Sequence, residues 1–86
     1  MARLRYELSA HAAAVIAERR IENAWIDRVL ENPERIEPGK FDPELTSALG
    51  RIAERDGRVL RVVYNDNVDP PRVVTVYFDR GLKGLP

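Results

Sequence analysis

The feature that most constrains the fold is the order of two apolar patterns, one of helix type and one of strand type. Between residues 9 and 31, apolar side chains recur every three or four positions, which places them on one face of a helix. Residues 58–64 and 72–78 are instead rich in valine, threonine and aromatic residues, which favour strands. Because helices and strands are grouped rather than alternating, the chain is predicted to be an α+β domain with two N-terminal helices packed on a mostly antiparallel sheet.

Local signals set the bounds of the helices. Ser9 is a good N-cap for a first helix over residues 11–20, which is rich in alanine. A second helix is predicted over residues 23–31. Asn32-Pro33 should end it, because the residue before a proline is pushed out of the helical region. The short link between the helices predicts an antiparallel pair.

The sheet is predicted to have about four strands, with a weak edge strand at residues 5–8. Asp56-Gly57 is a strong signal for a two-residue hairpin turn. Residues 38–43 contain two prolines and a glycine and are predicted to form a loop, and residues 81–86 a tail. The other predicted strands are residues 34–37, 48–55, 58–64 and 72–78.

Length and composition restrict the class of protein. Eighty-six residues predict one domain over residues 1–86. The absence of cysteine excludes disulfides and thiolate metal sites, and one histidine among carboxylates is a poor transition-metal site. We therefore predict no metal and no cofactor. No apolar run approaches the roughly 18 residues that span a bilayer, and the N-terminus lacks a signal-peptide stretch, so we expect no membrane association and a cytoplasmic location.

The charge is balanced overall but uneven along the chain. There are 14 Lys and Arg residues and 14 Asp and Glu residues, which argues against a strong nonspecific binder of nucleic acid. Residues 1–45 carry 7 basic and 9 acidic side chains, and residues 46–86 carry 7 and 5. Lys40 and Lys83 are the only lysines. Arginine suits two-point contacts with phosphate or carboxylate.

His11 is the natural candidate for proton transfer. It is the only side chain of the sequence whose ordinary pKa lies near neutrality, and it falls in the first turn of the first predicted helix. A general acid or base role competes with a structural one, in which the imidazole bonds a backbone carbonyl at the start of the helix.

Basic and phenolic side chains on the predicted helix and strands form the second candidate set. Arg51 and Arg61 interrupt apolar runs, which is costly unless they face solvent or an anion. The alternative is a solvated sheet face on which the arginines pair with Glu54, Asp56 and Asp79. The candidates for anion binding or proton transfer are Arg19, Arg51, Arg61, Tyr64, Arg80 and Lys83.

Five ordered motifs carry a resemblance to a known family. They are SAHA (residues 9–12), ERRI (18–21), VLENP (29–33), GRVLRVVY (57–64) and VTVYFDR (74–80). Together they span about residues 5–83 and resemble a bacterial family catalogued only as a domain of unknown function. That family is similar to the BrnT toxins of the RelE-like superfamily.

The resemblance implies a RelE-like fold and a toxin-like endoribonuclease. Such an enzyme would cleave RNA through the 2′-hydroxyl of the substrate without a metal, and would be paired with a small antitoxin protein. By position, Arg80 would be the cation for the phosphorane, and His11 or Tyr64 the base or acid. Arg61 would clamp a phosphate, and Arg19, Arg51 and Lys83 would contact RNA.

Two function classes remain open at this point. The endoribonuclease hypothesis predicts that His11 and Arg80 lie within about 10 Å of each other on one open concave surface. The alternative is a non-catalytic protein-interaction module with the same fold, whose surface would be covered by a homodimer partner or filled by internal salt bridges. The zero net charge favours this alternative. A small-molecule enzyme would need an enclosed pocket that so thin a core can scarcely provide.

Overall fold

The computed structural model describes residues 6–39 and 42–83, with the backbone alone for residues 81–83. Within these residues it has two helices and five strands. They are, in chain order, β1 (Glu7–Leu8), α1 (Ala10–Arg19), α2 (Asn23–Glu31), β2 (Arg35–Pro38), β3 (Thr46–Ile52), β4 (Arg58–Asn65) and β5 (Arg72–Lys83). The α+β class and the bounds of both helices agree with the prediction to within one residue.

The described strands form one sheet in the order β1-β5-β4-β3-β2. The pairs β2–β3, β3–β4 and β4–β5 are antiparallel. β1 is parallel to β5 and covers only its beginning, opposite Arg72 and Val73. The sheet therefore has five strands rather than about four, because the weak pattern near the N-terminus does form a short edge strand.

The core lies between the helices and one face of the sheet. Ala48, Val62 and Val76 are side by side in register on β3, β4 and β5, and each is at most 1% exposed. Ala12 of α1 and Ile26 of α2 are fully buried in the same cluster. Burying a side chain of the Val, Leu or Ile type contributes roughly 1.5–3 kcal/mol, so this layer supplies much of the folding free energy.

The ends of α1 fix it against β5. The Ser9 hydroxyl accepts a hydrogen bond from the Ala12 N–H (3.0 Å) and donates one to the carbonyl of Val74 (2.9 Å). At the other end Arg20 adopts a left-handed conformation (φ 55°), and the Ile21 N–H donates to the carbonyl of Ile16 (3.0 Å). Ser9 is thus the predicted N-cap and also a direct tie between the helix and the sheet.

The hairpin between β3 and β4 differs from the two-residue turn predicted. The register pairs Ile52 with Arg58, so the connection has five residues. Residues 53–55 form a 3-10 turn, and Asp56 (φ 58°) and Gly57 (φ 73°) are both left-handed. The Asp-Gly pair closes the turn because both residues tolerate a positive φ. The three residues before it form the 3-10 turn instead of continuing β3.

Other strand bounds also shift. β2 begins one residue later than predicted and β3 two residues earlier. β5 continues to Lys83, into residues predicted as a tail, because Arg58 of β4 still offers it a partner. The rest of that predicted tail, residues 84–86, and part of the predicted loop, residues 40–41, lie outside the described residues. In the described ranges neither helix has the length and apolar character needed to cross a membrane.

Candidate functional site

A cleft of about 690 Å³ lies beside β5, and we call it the β5 cleft. One wall is α1, which contributes His11, Val15, Glu18 and Arg19. Val15 lies four positions from both His11 and Arg19 and three positions from Glu18, so the four side chains share one helical face. The hairpin between β3 and β4 contributes Arg55 and Arg58, and β5 contributes residues 75–78 and Arg80.

His11 and Arg80 thus line the same concave surface, although 69 positions separate them in the sequence. His11 is brought there by the hydrogen bonds that Ser9 makes to β5. Arg80 lies where the β4–β5 register breaks, because Asp79 faces Val59 while Lys83 faces Arg58. Such bulges redirect side chains, and here an exposed guanidinium enters the cleft.

The β5 cleft is strongly cationic in a chain of zero net charge. Four arginines and one glutamate line it, which leaves a formal surplus of three positive charges with His11 neutral. Among the described residues, Arg19, Arg58 and Arg80 make no ion pair and no side-chain hydrogen bond. The described arginines that do form ion pairs all lie outside the cleft: Arg28, Arg35, Arg51, Arg61 and Arg72.

Arg55 connects the cleft to the core. Its guanidinium carbon lies 5.2 Å from the centre of the Trp25 ring and 5.5 Å from that of Phe78. The same group donates to the carbonyl oxygens of Arg19 (3.5 Å) and Arg20 (3.3 Å) at the end of α1. Arg55 therefore ties the end of α1 to the aromatic pair Trp25 and Phe78, while Arg19, Arg58 and Arg80 have no such contacts with the described residues.

The edge of β5 itself is accessible in the cleft. Successive side chains of a strand point to opposite faces, yet the four consecutive residues 75–78 all line this cavity. Only the edge of the strand can present all four to one space. Among the described residues, β1 pairs with this edge at Arg72 and Val73 and the Ser9 hydroxyl bonds the carbonyl of Val74, so the edge is uncovered along residues 75–78.

Two of the remaining predicted site residues, Arg61 and Arg51, lie elsewhere. Arg61 is on the opposite face of the sheet, where Asp79 (2.9 Å) and Glu37 (3.2 Å) hold it and leave its side chain 12% exposed. Burial alone would lower the pKa of Arg61. The hydrogen bonds to these two carboxylates outweigh burial, so the pKa is higher than the ordinary value. Arg51 pairs with Glu34 (2.8 Å) and does not line the cleft.

Tyr64 also falls outside the cleft. It is half-buried, packs against the helix-side core, and pairs in register with Thr46 and Val73. Burial, and secondarily the charge of Asp66, raises the pKa of the Tyr64 phenol, so it holds its proton at neutral pH. It is unsuited to act as a base beside His11. The Lys83 side chain lies outside the described residues.

Sequence reasoning missed Arg55 and Arg58. Residues 48–55 read as one strand, which hid the 3-10 turn that directs Arg55 toward α1. The Asp56-Gly57 turn signal could have indicated them. Side chains on either side of a hairpin turn lie close to the element that packs against that turn, which here is α1. No group of three or more His, Asp or Glu side chains suited to a metal occurs in the described part of the chain.

No curated protein matches the chain, and no solved structure matches it. The family described as "Domain of unknown function (DUF4258)" matches residues 8–78, a stretch that includes α1, α2 and β5 as far as Phe78. The matched stretch covers most of the 86 residues of the chain, so the chain belongs to the DUF4258 family.

Proposed function

We propose that the protein is a metal-independent endoribonuclease of the toxin type that binds RNA in the β5 cleft. One observation carries this proposal: His11 and Arg80 line one cleft together with three further arginines. The cleft offers the imidazole of His11 and several guanidinium groups that have no ion-pair partner among the described residues. An imidazole base and a cation are two of the three groups that cleavage through a 2′-hydroxyl requires, and water can serve as the third, the acid for the leaving oxygen.

The reaction assigns a role to each group. The His11 imidazole accepts the proton of the 2′-hydroxyl, and the 2′-oxygen attacks the adjacent phosphorus. Arg80 neutralises the charge that develops on the phosphorane oxygens. The bond to the 5′-oxygen breaks, and that oxygen takes a proton from water. The hydroxide that remains removes the proton from the His11 imidazolium, which restores the neutral base. The products are a 2′,3′-cyclic phosphate and a free 5′-hydroxyl. Arg19 and Arg58 contact the flanking phosphates.

The physiological setting belongs to the same proposal. A toxin of this kind acts in the cytoplasm and is held inactive by a small antitoxin protein. The cationic cleft supports this setting, because it is the natural surface for an acidic inhibitor to cover. Arg61, Arg51 and Tyr64 have no part in the reaction, since Arg61 and Arg51 pair with carboxylates outside the cleft and Tyr64 packs on the core.

The test is cleavage of a 5′-labelled RNA by purified protein in the presence of EDTA. A matched RNA carries one 2′-deoxynucleotide at the cleaved position and should resist cleavage there. His11→Ala should lower the rate by roughly 10²–10⁴-fold, and Arg80→Ala by roughly 10²–10³-fold. Arg35→Ala, which removes an arginine from the far edge of the sheet, should leave the rate unchanged.

Growth arrest on induced expression checks the same variants in cells. Arrest by the wild-type protein that both cleft variants relieve, while both stay folded, supports the proposal. Folded wild-type protein that neither arrests growth nor cleaves RNA contradicts it. That result would favour a non-catalytic protein-interaction module, which the uncovered edge of β5 also supports.

A further inference from the structure

The outer edge of β5 has capacity for another strand. β5 is twelve residues long, but β1 pairs only with Arg72 and Val73. The next two carbonyls of β5 accept hydrogen bonds from Ser9. Its backbone N–H donates to Val73 (2.9 Å), and its hydroxyl donates to Val74 (2.9 Å). From residue 75 to residue 78, no described residue bonds the backbone on that side. Four residues are enough for a short strand.

An uncovered strand edge presents a row of unpaired N–H and C=O groups, which is a template for strand addition. This edge also forms part of the β5 cleft, since residues 75–78 line it. A strand added here would run along the cleft between α1 and the end of the β3–β4 hairpin. Its alternate side chains would point toward the helix side, where Arg19, Arg58 and Arg80 lie.

The positive charge of the β5 cleft favours an added strand that carries carboxylates. Arg19, Arg58 and Arg80 have no ion-pair partner among the described residues, so carboxylates on the added strand would gain charge-assisted hydrogen bonds. A second copy of this chain is disfavoured. Pairing β5 with its own copy would bring two clefts, each with a surplus of three positive charges, onto one ladder.

We infer that the free edge of β5 binds an extended, acidic segment of a partner protein as an additional strand. Such a segment would occupy the cleft that binds RNA, and the two would be mutually exclusive. This regulatory meaning rests on the proposed ribonuclease function. The binding itself does not, and it can be tested with no RNA present.

The probe is a fluorescein-labelled nine-residue peptide with glutamate at every second position and valine or threonine between. Two matched peptides separate charge from backbone pairing: one has glutamine for glutamate, and the other has N-methyl groups on alternate amides. Anisotropy should show saturable binding of the acidic peptide. Each matched peptide should bind at least about tenfold more weakly, because it loses either the charged contacts or the ladder hydrogen bonds.

Variants and hydrogen exchange locate the contact. Arg58→Gln and Arg80→Gln should each weaken binding several-fold, while Arg35→Gln should not. Amide exchange should slow, when the peptide binds, at those amides of residues 75–78 that face the open edge rather than β4. Absence of binding by about 1 mM peptide would overturn the inference, as would equal binding of the N-methylated peptide. A homodimer that the peptide does not displace from this edge would assign it to a second copy instead.

The outcomes separate this inference from the proposed function. Peptide binding at the edge without RNA cleavage retains the inference and rejects the ribonuclease. RNA cleavage without peptide binding does the reverse. If both hold, the peptide should inhibit cleavage in proportion to the fraction of protein it occupies.

Discussion

The guanidinium carbon of Arg55 lies 5.2 Å from the centre of the Trp25 ring, and this contact joins the floor of the β5 cleft to the hydrophobic core. Trp25 is 4% exposed and meets Phe78 edge to face, with ring centres 6.3 Å apart. Arg55 also reaches the last carbonyls of α1. One side chain therefore holds three elements together where the cleft begins.

Replacing Arg55 with methionine should lower the free energy of unfolding by about 1 kcal/mol. The variant keeps an apolar stem but loses the cation–ring contacts and the hydrogen bonds to α1. Urea unfolding followed by Trp25 fluorescence measures the change. Arg58→Met is the matched control, because it removes the same charge nearby without ring contacts and should change stability by less than about 0.5 kcal/mol. Equal effects would mean that charge alone matters.

Replacing Arg61 with methionine should cost more, roughly 2 kcal/mol. The Arg61 side chain is 12% exposed, and its loss leaves Asp79 and Glu37 close together without their shared cation. Arg51→Met breaks an exposed pair with Glu34 and should cost at most about 1 kcal/mol. In folded protein, neither change should alter RNA affinity. A specific loss of RNA binding in Arg61→Met would restore the phosphate-clamp role that the family resemblance implies.

The sequence could not predict which surface of the sheet Arg61 and Arg80 would lie on. The helices were predictable because Ser9 and Asn32-Pro33 are local signals that act without the rest of the fold. Both faces of β4 are apolar next to Arg61, so alternation could not decide which face it takes. In β5 a bulge puts Val73 and Val76 on the same face. Only strand pairing, which is set by distant residues, decides which cations share a surface.

Acid should weaken the native state through Glu54. Two hydrogen bonds from Arg28 (2.9 and 3.0 Å) lower the pKa of Glu54 from its ordinary 4.5 to about 2. A carboxyl whose pKa is lower in the folded state stabilises the fold above pH 4.5, and this contribution disappears as the pH falls toward 2. Carboxyl NMR of wild-type protein should show a Glu54 midpoint near 2.

Arg28→Gln is the control for that titration. Without the guanidinium, the pKa of Glu54 should return toward its ordinary value, and the loss of stability between pH 4.5 and 2 should become smaller. The pKa of Glu34 should stay low in the same variant, because the backbone N–H and side chain of Arg51 hold it. An unchanged Glu54 midpoint would show that Arg28 does not set it.

Gly50 sets how closely α2 can approach β3. A Cβ atom at Gly50 would lie 3.1 Å from Cγ2 of Val29, which is 2% exposed. Gly50→Ala should therefore destabilise the protein by about 1 kcal/mol through crowding. In a Val29→Ala background the crowding is gone, so the same change should be neutral or stabilising. A double-mutant cycle by urea unfolding measures the coupling, and additive effects would contradict the close contact.

RNA binding should depend on salt through the cleft arginines that have no ion-pair partner among the described residues. Each phosphate that an arginine neutralises adds about 0.7 to the slope of log affinity against log salt for single-stranded RNA. Arg58→Gln and Arg80→Gln should each reduce the magnitude of that slope by about 0.7. Arg35→Gln should not change it, because Arg35 already pairs with Glu37 on the far edge of the sheet. Equal slopes in all three variants would place the phosphate contacts outside the β5 cleft, even if RNA still bound.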